Sequence, residues 1–333
     1  MKKNNPLKRT ISGIQKYITF LLLVFPVWGG TGTIPLKSVN FLPIWVPQPQ
    51  FAGYYMAKEK GIYEKYGLDV NIINGGHSKD TKEMLVQGKA DFSILHLSSA
   101  VKYRIQGVNL VNVAQIFQKS AIQFVSRKSS GIDSLHKFQG KRIAILRTVL
   151  QETTEGFLKK YGITDEIYRI NGGINLLLKG AIDVCVVMKY NELNTLYNQG
   201  INFDELNIFD LNNYQFGLLE DGIYMTGERY KADPELTSAF VNASIEGWEY
   251  ALNNFDETIV VMLRLQANAN VISNRAHTEW MLKCMREMIY PEEKKTKIGH
   301  LEKNDFNAAV KFMMQYLNVK NNVDYQDFYK GVR

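Results

Sequence analysis

The sequence predicts an α/β protein of two similar lobes, each a parallel sheet covered by helices. Three observations lead there. Short apolar runs alternate with helix-like segments through the first hundred residues. Two local patterns then recur at nearly one offset, 95 and 92 residues on. The last third reads as helices without strands, which suits the outer cover of a lobe.

The elements follow in order. Residues 39–42 read as a short buried strand, followed by a Pro-punctuated loop at 43–50 (PIWVPQPQ). A helix is expected over 51–60, closed by Gly61. Gly67 ends a turn, and the β-branched run 68–73 reads as a second strand. Ser78 or Asp80 can cap the next helix, which Gly88 ends. Residues 92–95 form the third strand, and a further strand ends at Gln118. The echo follows: Lys65-Tyr66-Gly67-Leu68 recurs as Lys160-Tyr161-Gly162-Ile163, and Gly88-Lys89-Ala90-Asp91 as Gly180-Ala181-Ile182-Asp183. Strands are expected at 142–146 and 184–188. Helices are expected at 236–253, 256–268, 274–289 and 303–317.

Composition narrows the class. The 333 residues are 45% hydrophobic and 22% charged, which excludes disordered and fibrous chains. Two cysteines, Cys185 and Cys284, exclude a disulfide scaffold and a Cys-rich metal module. The net charge is +7, but Lys2, Lys3, Lys8, Arg9 and Lys16 carry five of those charges. Without them 35 basic residues face 33 acidic ones, so no nucleic-acid partner is expected.

The N-terminal basic stretch is followed by twelve mostly apolar residues at 17–28 and then by Gly-Gly-Thr-Gly-Thr. That order is the order of a secretory signal peptide, expected over residues 1–32. Twelve residues are too few for a bilayer span, which takes about 20. No Cys follows for a lipid anchor. An extracytoplasmic mature chain is expected.

No phosphate loop, dinucleotide fingerprint, zinc-protease helix or serine-elbow motif occurs. The five histidines, at 77, 96, 136, 277 and 300, have no metal-ligand spacing. An exported two-lobed protein without a catalytic set reads as a binding protein, with no cofactor and no metal.

Several longer stretches are more specific. They are Trp45-Val-Pro-Gln-Pro-Gln-Phe-Ala-Gly-Tyr-Tyr55, Ala57-Lys-Glu-Lys-Gly-Ile-Tyr63, Tyr66-Gly-Leu-Asp-Val70, Gln87-Gly-Lys-Ala-Asp-Phe92 and Glu220-Asp-Gly-Ile-Tyr224. Together with Arg104-Ile-Gln-Gly107, Ser126-Arg-Lys-Ser-Ser-Gly-Ile132 and Gly140-Lys-Arg142, the chain resembles the thiamine-pyrimidine-precursor family. That family includes binding proteins of ABC importers, related to sulfonate and nitrate binders, and eukaryotic pyrimidine synthases. The resemblance implies a type II periplasmic-binding-protein fold with a hinge and an interlobe cleft. Lobe one would be 36–123 plus 224–333, lobe two 124–223, with crossings near 123–126 and 221–224. It also implies a small-molecule ligand, an ABC transporter permease as partner and a monomer. Two other roles stay open: a pyrimidine-synthase-like enzyme of thiamine biosynthesis, or the ligand-sensing subunit of a signalling system. Pyrimidines, flavins, sulfonates and nitrate-like anions all remain open as ligands.

Candidate site residues lie where strands end. Trp45 either stacks on a flat ring or fills the core under its loop. Gln48 and Gln50 either offer amides to a ligand or face solvent. One of Tyr54 and Tyr55 is expected at the cleft, Tyr54 preferred. His96, Ser98 and Ser99 begin a helix whose free N–H groups could take an anion, and Ser99 stands about where the synthases of the resembling family carry a reactive His. Gln118 ends a strand and could reach the cleft. Arg147 and Thr148 hold the equivalent place in lobe two. Tyr190, Asn191 and Glu192 follow a strand, with Glu192 an acceptor for an aminopyrimidine's N–H groups or simply a first-turn Glu. Asp221 and Glu220 belong to the hinge or touch the ligand.

Overall fold

The computed structural model describes residues 35–331. The export segment expected at 1–32 lies outside the described residues. The strands are β1 (Lys37–Leu42), β2 (Leu68–Ile72), β3 (Phe92–Leu95), β4 (Leu110–Gln115), β5 (Ile122–Arg127), β6 (Ile143–Leu146), β7 (Ile167–Ile170), β8 (Val184–Met188), β9 (Leu206–Asp210) and β10 (Gly222–Thr226). They form two five-stranded sheets, β2-β1-β3-β10-β4 and β7-β6-β8-β5-β9.

Both sheets follow one plan. In each the strand next to the last enters from the other lobe: β10 in the first sheet, β5 in the second. Both entering strands run antiparallel to their neighbours. This corrects the expectation of purely parallel sheets. A strand delivered from the opposite lobe arrives head-on, whereas strands linked through helices return in one direction. The chain passes between the sheets at 116–121 and 211–221. Gln123 lies within β5, opposite Val187 and Asp210 in the second sheet.

The first lobe carries α1 (Ala52–Glu59), α2 (Ile62–Lys65), α3 (Thr81–Val86) and α4 (Leu97–Ile105). The second carries α5 (Gln151–Lys160), α6 (Ile174–Leu178) and α7 (Glu192–Asn198). The expected helix over 51–60 is shorter, because Pro49–Phe51 forms a separate tight turn ahead of it. Gly61 does more than end α1: at φ +66° it turns the chain into α2. Of the two caps proposed for α3, Asp80 acts, accepting from the Glu83 N–H at 3.0 Å.

After β10 come α8 (Gly227–Ala232), α9 (Pro234–Asn253), α10 (Phe255–Asn268), α11 (Arg275–Ile289), α12 (Lys303–Leu317) and α13 (Tyr325–Phe328). Asp233 caps α9 by accepting from Leu236 N–H, and Pro234 sits at the first helical position, where its missing N–H costs nothing. α9 packs on α1. A Cβ on Gly53 would sit 2.3 Å from the Trp248 ring, and one on Gly247 would sit 2.3 Å from the Gly53 carbonyl. The two backbones therefore touch, and the fully buried Trp248 fills the space beside them. Phe240 stacks on Phe92 with centroids 4.1 Å apart and on Tyr63 at 5.5 Å, joining α9 to β3 and α2. Truncating Trp248 to Ala would cost about 3–5 kcal/mol.

The lobes touch on both sides of the gap between them. Ser98 of α4 meets Thr153 of α5 at 3.2 Å, and Lys102 pairs with Glu152. Tyr316 of α12 donates to Glu155 at 2.8 Å. On the other side Trp280 donates to the Lys189 carbonyl at 3.0 Å, and Lys189 pairs with Glu287.

Candidate functional site

A cleft of about 740 Å3 opens between the sheets. Its walls are the loops at the carboxyl ends of six strands, three from each lobe. The loop after β1 brings Ile44, Trp45, Gln48 and Gln50. The loop after β2 brings residues 76–81, and His96 follows β3. From the other lobe come residues 147–150 after β6, 171–175 after β7, and Tyr190, Asn191 and Glu192 after β8. Parallel strands aim their carboxyl ends one way, so each sheet delivers its loops to one rim.

Nine of the proposed site residues share this wall: Trp45, Gln48, Gln50, His96, Arg147, Thr148, Tyr190, Asn191 and Glu192. The Trp45 indole meets the His77 imidazole edge-on, centroids 4.3 Å apart at 81°. Gly75 makes that placement possible. A Cβ there would lie 2.1 Å from the Pro43 carbonyl oxygen and 2.8 Å from the Trp45 nitrogen, so the two loops interlock through the missing side chain. Arg147 is exposed and donates to the Arg169 carbonyl at 3.2 Å.

The other proposed residues lie off the wall. Tyr54 is a core residue, its ring 4.6 Å from Phe41 and 5.8 Å from Trp248, and Tyr55 is also absent from the wall. Helix α1 turns both tyrosines inward because its buried face spans Ala52 to Ala57 without interruption. Ser98 spends its hydroxyl on Thr153, and Ser99 is buried. The first N–H of α4, on Leu97, donates to the Leu219 carbonyl at 3.1 Å, so the crossing chain occupies that amide. Gln118 lies past the end of β4, which stops at Gln115. Its amide donates to the Gln115 and His300 carbonyls, each at 2.9 Å, bracing the crossing. Asp221 sits behind the wall, 2% exposed, and accepts from Gln50 Nε2 at 2.9 Å.

Glu192 was expected to accept from a ligand. In the fold its carboxylate accepts from the Met188 N–H at 2.9 Å and from Asn191 Nδ2 at 3.0 Å. It orients Asn191, whose Oδ1 lies 3.1 Å from His277 Nε2 on α11. Glu192 thus first fixes the turn after β8.

Burial dominates the electrostatics. His96 is driven down to about 4, so it stands neutral at pH 7. Asp221 is pushed up to about 7 and Glu220 to about 8, both by loss of water. Glu220 keeps a hydrogen bond from Ser120 Oγ at 2.6 Å and from the Ala121 N–H at 2.9 Å. Tyr190 is held far above its usual range by burial, reinforced by Asp221 and Glu220. His96 Nε2 and Asp221 Oδ1 stand 3.6 Å apart, a contact of a neutral ring with a carboxyl rather than an ion pair. Among the described residues no three metal-ligating side chains converge.

A family model described as NMT1/THI5 like matches residues 48–258. The chain belongs to the NMT1/THI5-like family. Its relatives include the 4-amino-5-hydroxymethyl-2-methylpyrimidine phosphate synthase THI13 of Saccharomyces cerevisiae, 25% identical over 151 residues. That match covers 44% of each chain, so this chain spans under half the length of the synthase. The riboflavin-binding protein RibY of Chloroflexus aurantiacus is 23% identical over 71% of this chain and 68% of its own. The formylaminopyrimidine-binding protein of Halalkalibacterium halodurans is 22% identical over 71% of this chain and 72% of its own. Among solved structures, the periplasmic aliphatic sulphonate binding protein SsuA of Escherichia coli superimposes with a TM-score of 0.69 at 12% identity, over 87% of this chain and 91% of that one. The fold is therefore the two-lobed fold of periplasmic binding proteins, as the sequence predicted.

Within this NMT1/THI5-like cleft, sequence reasoning missed His77, Tyr103, Asn171, Gly172, Asn175 and Gln199. A signal for part of this set exists. Asn74-Gly75-Gly76 recurs as Asn171-Gly172-Gly173, 97 residues on, close to the other echoes. Both triplets follow the second parallel strand of their sheet and bend the chain toward the cleft.

Proposed function

We propose that this chain is an extracytoplasmic solute-binding protein of an ABC importer, carrying a thiamine-precursor pyrimidine or a similar small heteroaromatic. One observation carries the reading: the cleft between the lobes joins an aromatic wall, Trp45 with His77, to neutral amides of Gln48, Asn171 and Asn175. An indole face suits a planar ring. Amide groups suit a neutral ligand with both donors and acceptors. His96, uncharged at pH 7, adds no cation, so the wall's cations are Arg147 and Lys79, which would suit an anionic substituent carried by such a ring. The formylaminopyrimidine-binding and riboflavin-binding relatives support a planar nitrogenous ligand and a binding rather than catalytic role. The partner in this reading is a membrane-embedded permease, which accepts the ligand when the lobes part.

Intrinsic fluorescence tests the reading. Titration with 4-amino-5-hydroxymethyl-2-methylpyrimidine should quench Trp45 saturably, and Trp45→Phe should lose most of that signal. A flat titration, with riboflavin giving the quench instead, would replace the pyrimidine by a flavin.

A further inference from the structure

Two glutamines and a buried carboxylate form a directed chain at the cleft wall. Gln48 Nε2 donates to Gln50 Oε1 at 2.5 Å, and Gln50 Nε2 donates to Asp221 Oδ2 at 2.9 Å. All three side chains are buried, but Gln48 and Gln50 also line the cleft. Asp221 belongs to the crossing between the lobes, 171 residues from Gln50.

The chain has a polarity. A glutamine amide carries a donor end and an acceptor end of nearly equal shape, so it can sit either way round unless a neighbour decides. An ionised carboxylate only accepts, and Asp221 is ionised above about pH 7. It therefore turns the NH2 of Gln50 toward itself. That leaves Gln50 Oε1 facing Gln48, which must answer with its own NH2. The free end of the chain is then Gln48 Oε1, and among the described residues no protein donor reaches it. An acceptor at a cleft wall, left open by a relay anchored in the hinge, calls for a donor from the ligand.

We infer that Asp221, acting through Gln50, fixes Gln48 Oε1 as a hydrogen-bond acceptor that selects ligands presenting an N–H donor on their ring edge. Asp221 is a positioning residue and Gln48 the specificity residue. The inference rests on the binding reading above and adds to it the sense of one recognition contact. It differs from the sequence expectation, which gave that acceptor role to Glu192, whose carboxylate is engaged by Met188 and Asn191.

Two measurements test it. At about pH 8.5, where Asp221 is ionised, calorimetric titration compares 4-amino-5-hydroxymethyl-2-methylpyrimidine with its 4-oxo counterpart, which replaces the exocyclic donor by an acceptor. The wild-type protein should prefer the amino compound by about tenfold or more. Asp221→Asn, which lets the relay run either way, should bring the two affinities within about threefold. Gln48→Met should weaken the amino compound alone. Equal affinities in the wild type, or an unchanged preference in Asp221→Asn, would overturn the selection. The second measurement needs no ligand. In protein labelled with 15N at glutamine side chains, the Gln48 and Gln50 NH2 groups should exchange slowly with solvent, and faster in Asp221→Asn. Exchange as fast as that of exposed glutamines in the wild type would overturn the relay itself. If neither pyrimidine binds, the pyrimidine reading and the role of Gln48 fall together, while the exchange experiment still decides the relay.

Discussion

The Trp45 indole and the His77 imidazole meet edge to face, centroids 4.3 Å apart, although they come from loops after different strands. His77 thereby fixes the orientation of Trp45 on the cleft wall. An edge-to-face pair contributes about 0.5–1.5 kcal/mol beyond its buried area. Trp45→Ala should weaken ligand binding at least about tenfold, and His77→Ala about threefold to tenfold. Calorimetry checks both; unchanged affinity in Trp45→Ala would remove the indole from the site.

Gly75 should be less tolerant than its surface loop suggests. A methyl group there would overlap the Pro43 carbonyl oxygen at 2.1 Å, and that atom is backbone. Gly75→Ala must push the Trp45 loop away from the loop after β2. Affinity should fall by about tenfold or more, with a smaller loss of thermal stability than Trp248→Ala causes. A variant with wild-type affinity would show that the two loops move independently of the site.

The contact between Tyr316 and Glu155 spans the lobes, and Glu155 also accepts from Arg169 Nε at 2.5 Å and from Gln151 Nε2 at 2.9 Å. Glu155 thus ties α12 to both α5 and the strand that feeds the 171–175 loop. Tyr316→Phe keeps the ring and removes the link. The population of closed molecules should drop, raising the radius of gyration in solution scattering and weakening binding by a few fold. Identical scattering curves for the two proteins would assign the bond no part in closure.

Glu220 gives the stability a pH dependence of known sign. Its folded pKa, about 8, lies above the usual carboxyl range, so its contribution is complete below about pH 4 and fades as pH rises through 8. Asp221 behaves alike, fading through about 7. The groups facing Asp221 are Glu220, Tyr54, Tyr190 and Tyr224, all pushed upward by burial, and His96, driven down. His96 has the opposite sense: its contribution is present above about 6.5 and fades as pH falls through about 4. Glu220→Gln keeps the size and hydrogen-bonding reach of the side chain. Its melting temperature relative to wild type should therefore climb between pH 6 and 9. A constant difference over that range would contradict the burial account of Glu220.

Much of this architecture is legible along the chain. Phe92–Leu95 is a strand in the residues expected, Asp80 is one of the two caps proposed, and the tandem echoes foretell two sheets of one plan. Local pattern reports such features because burial and capping act over a few residues. The antiparallel entry of β5 and β10 is different. Nothing in Ile122–Arg127 or Gly222–Thr226 encodes direction; it follows from where the chain has been. The same holds in the cleft. Trp45 and Tyr190 could be placed from their strand ends, but that α1 turns both Tyr54 and Tyr55 away from the cleft could not be read without knowing how α1 packs under α9. Glu192 looked like a ligand acceptor because its partners, the Met188 N–H and Asn191, are set by the turn it closes. The Asn-Gly-Gly echo was readable, but glycines announce a bend without saying what the bend faces.

The central claim is that the interlobe cleft takes up a small planar heteroaromatic. Native mass spectrometry tests it most directly, on protein lacking residues 1–32, purified gently and then titrated with hydroxymethyl- and formylamino-pyrimidines. The account predicts a one-to-one complex with a dissociation constant of about micromolar order, weakened in Trp45→Ala. A protein that stays bare with every pyrimidine and flavin, or a complex indifferent to Trp45, would contradict it.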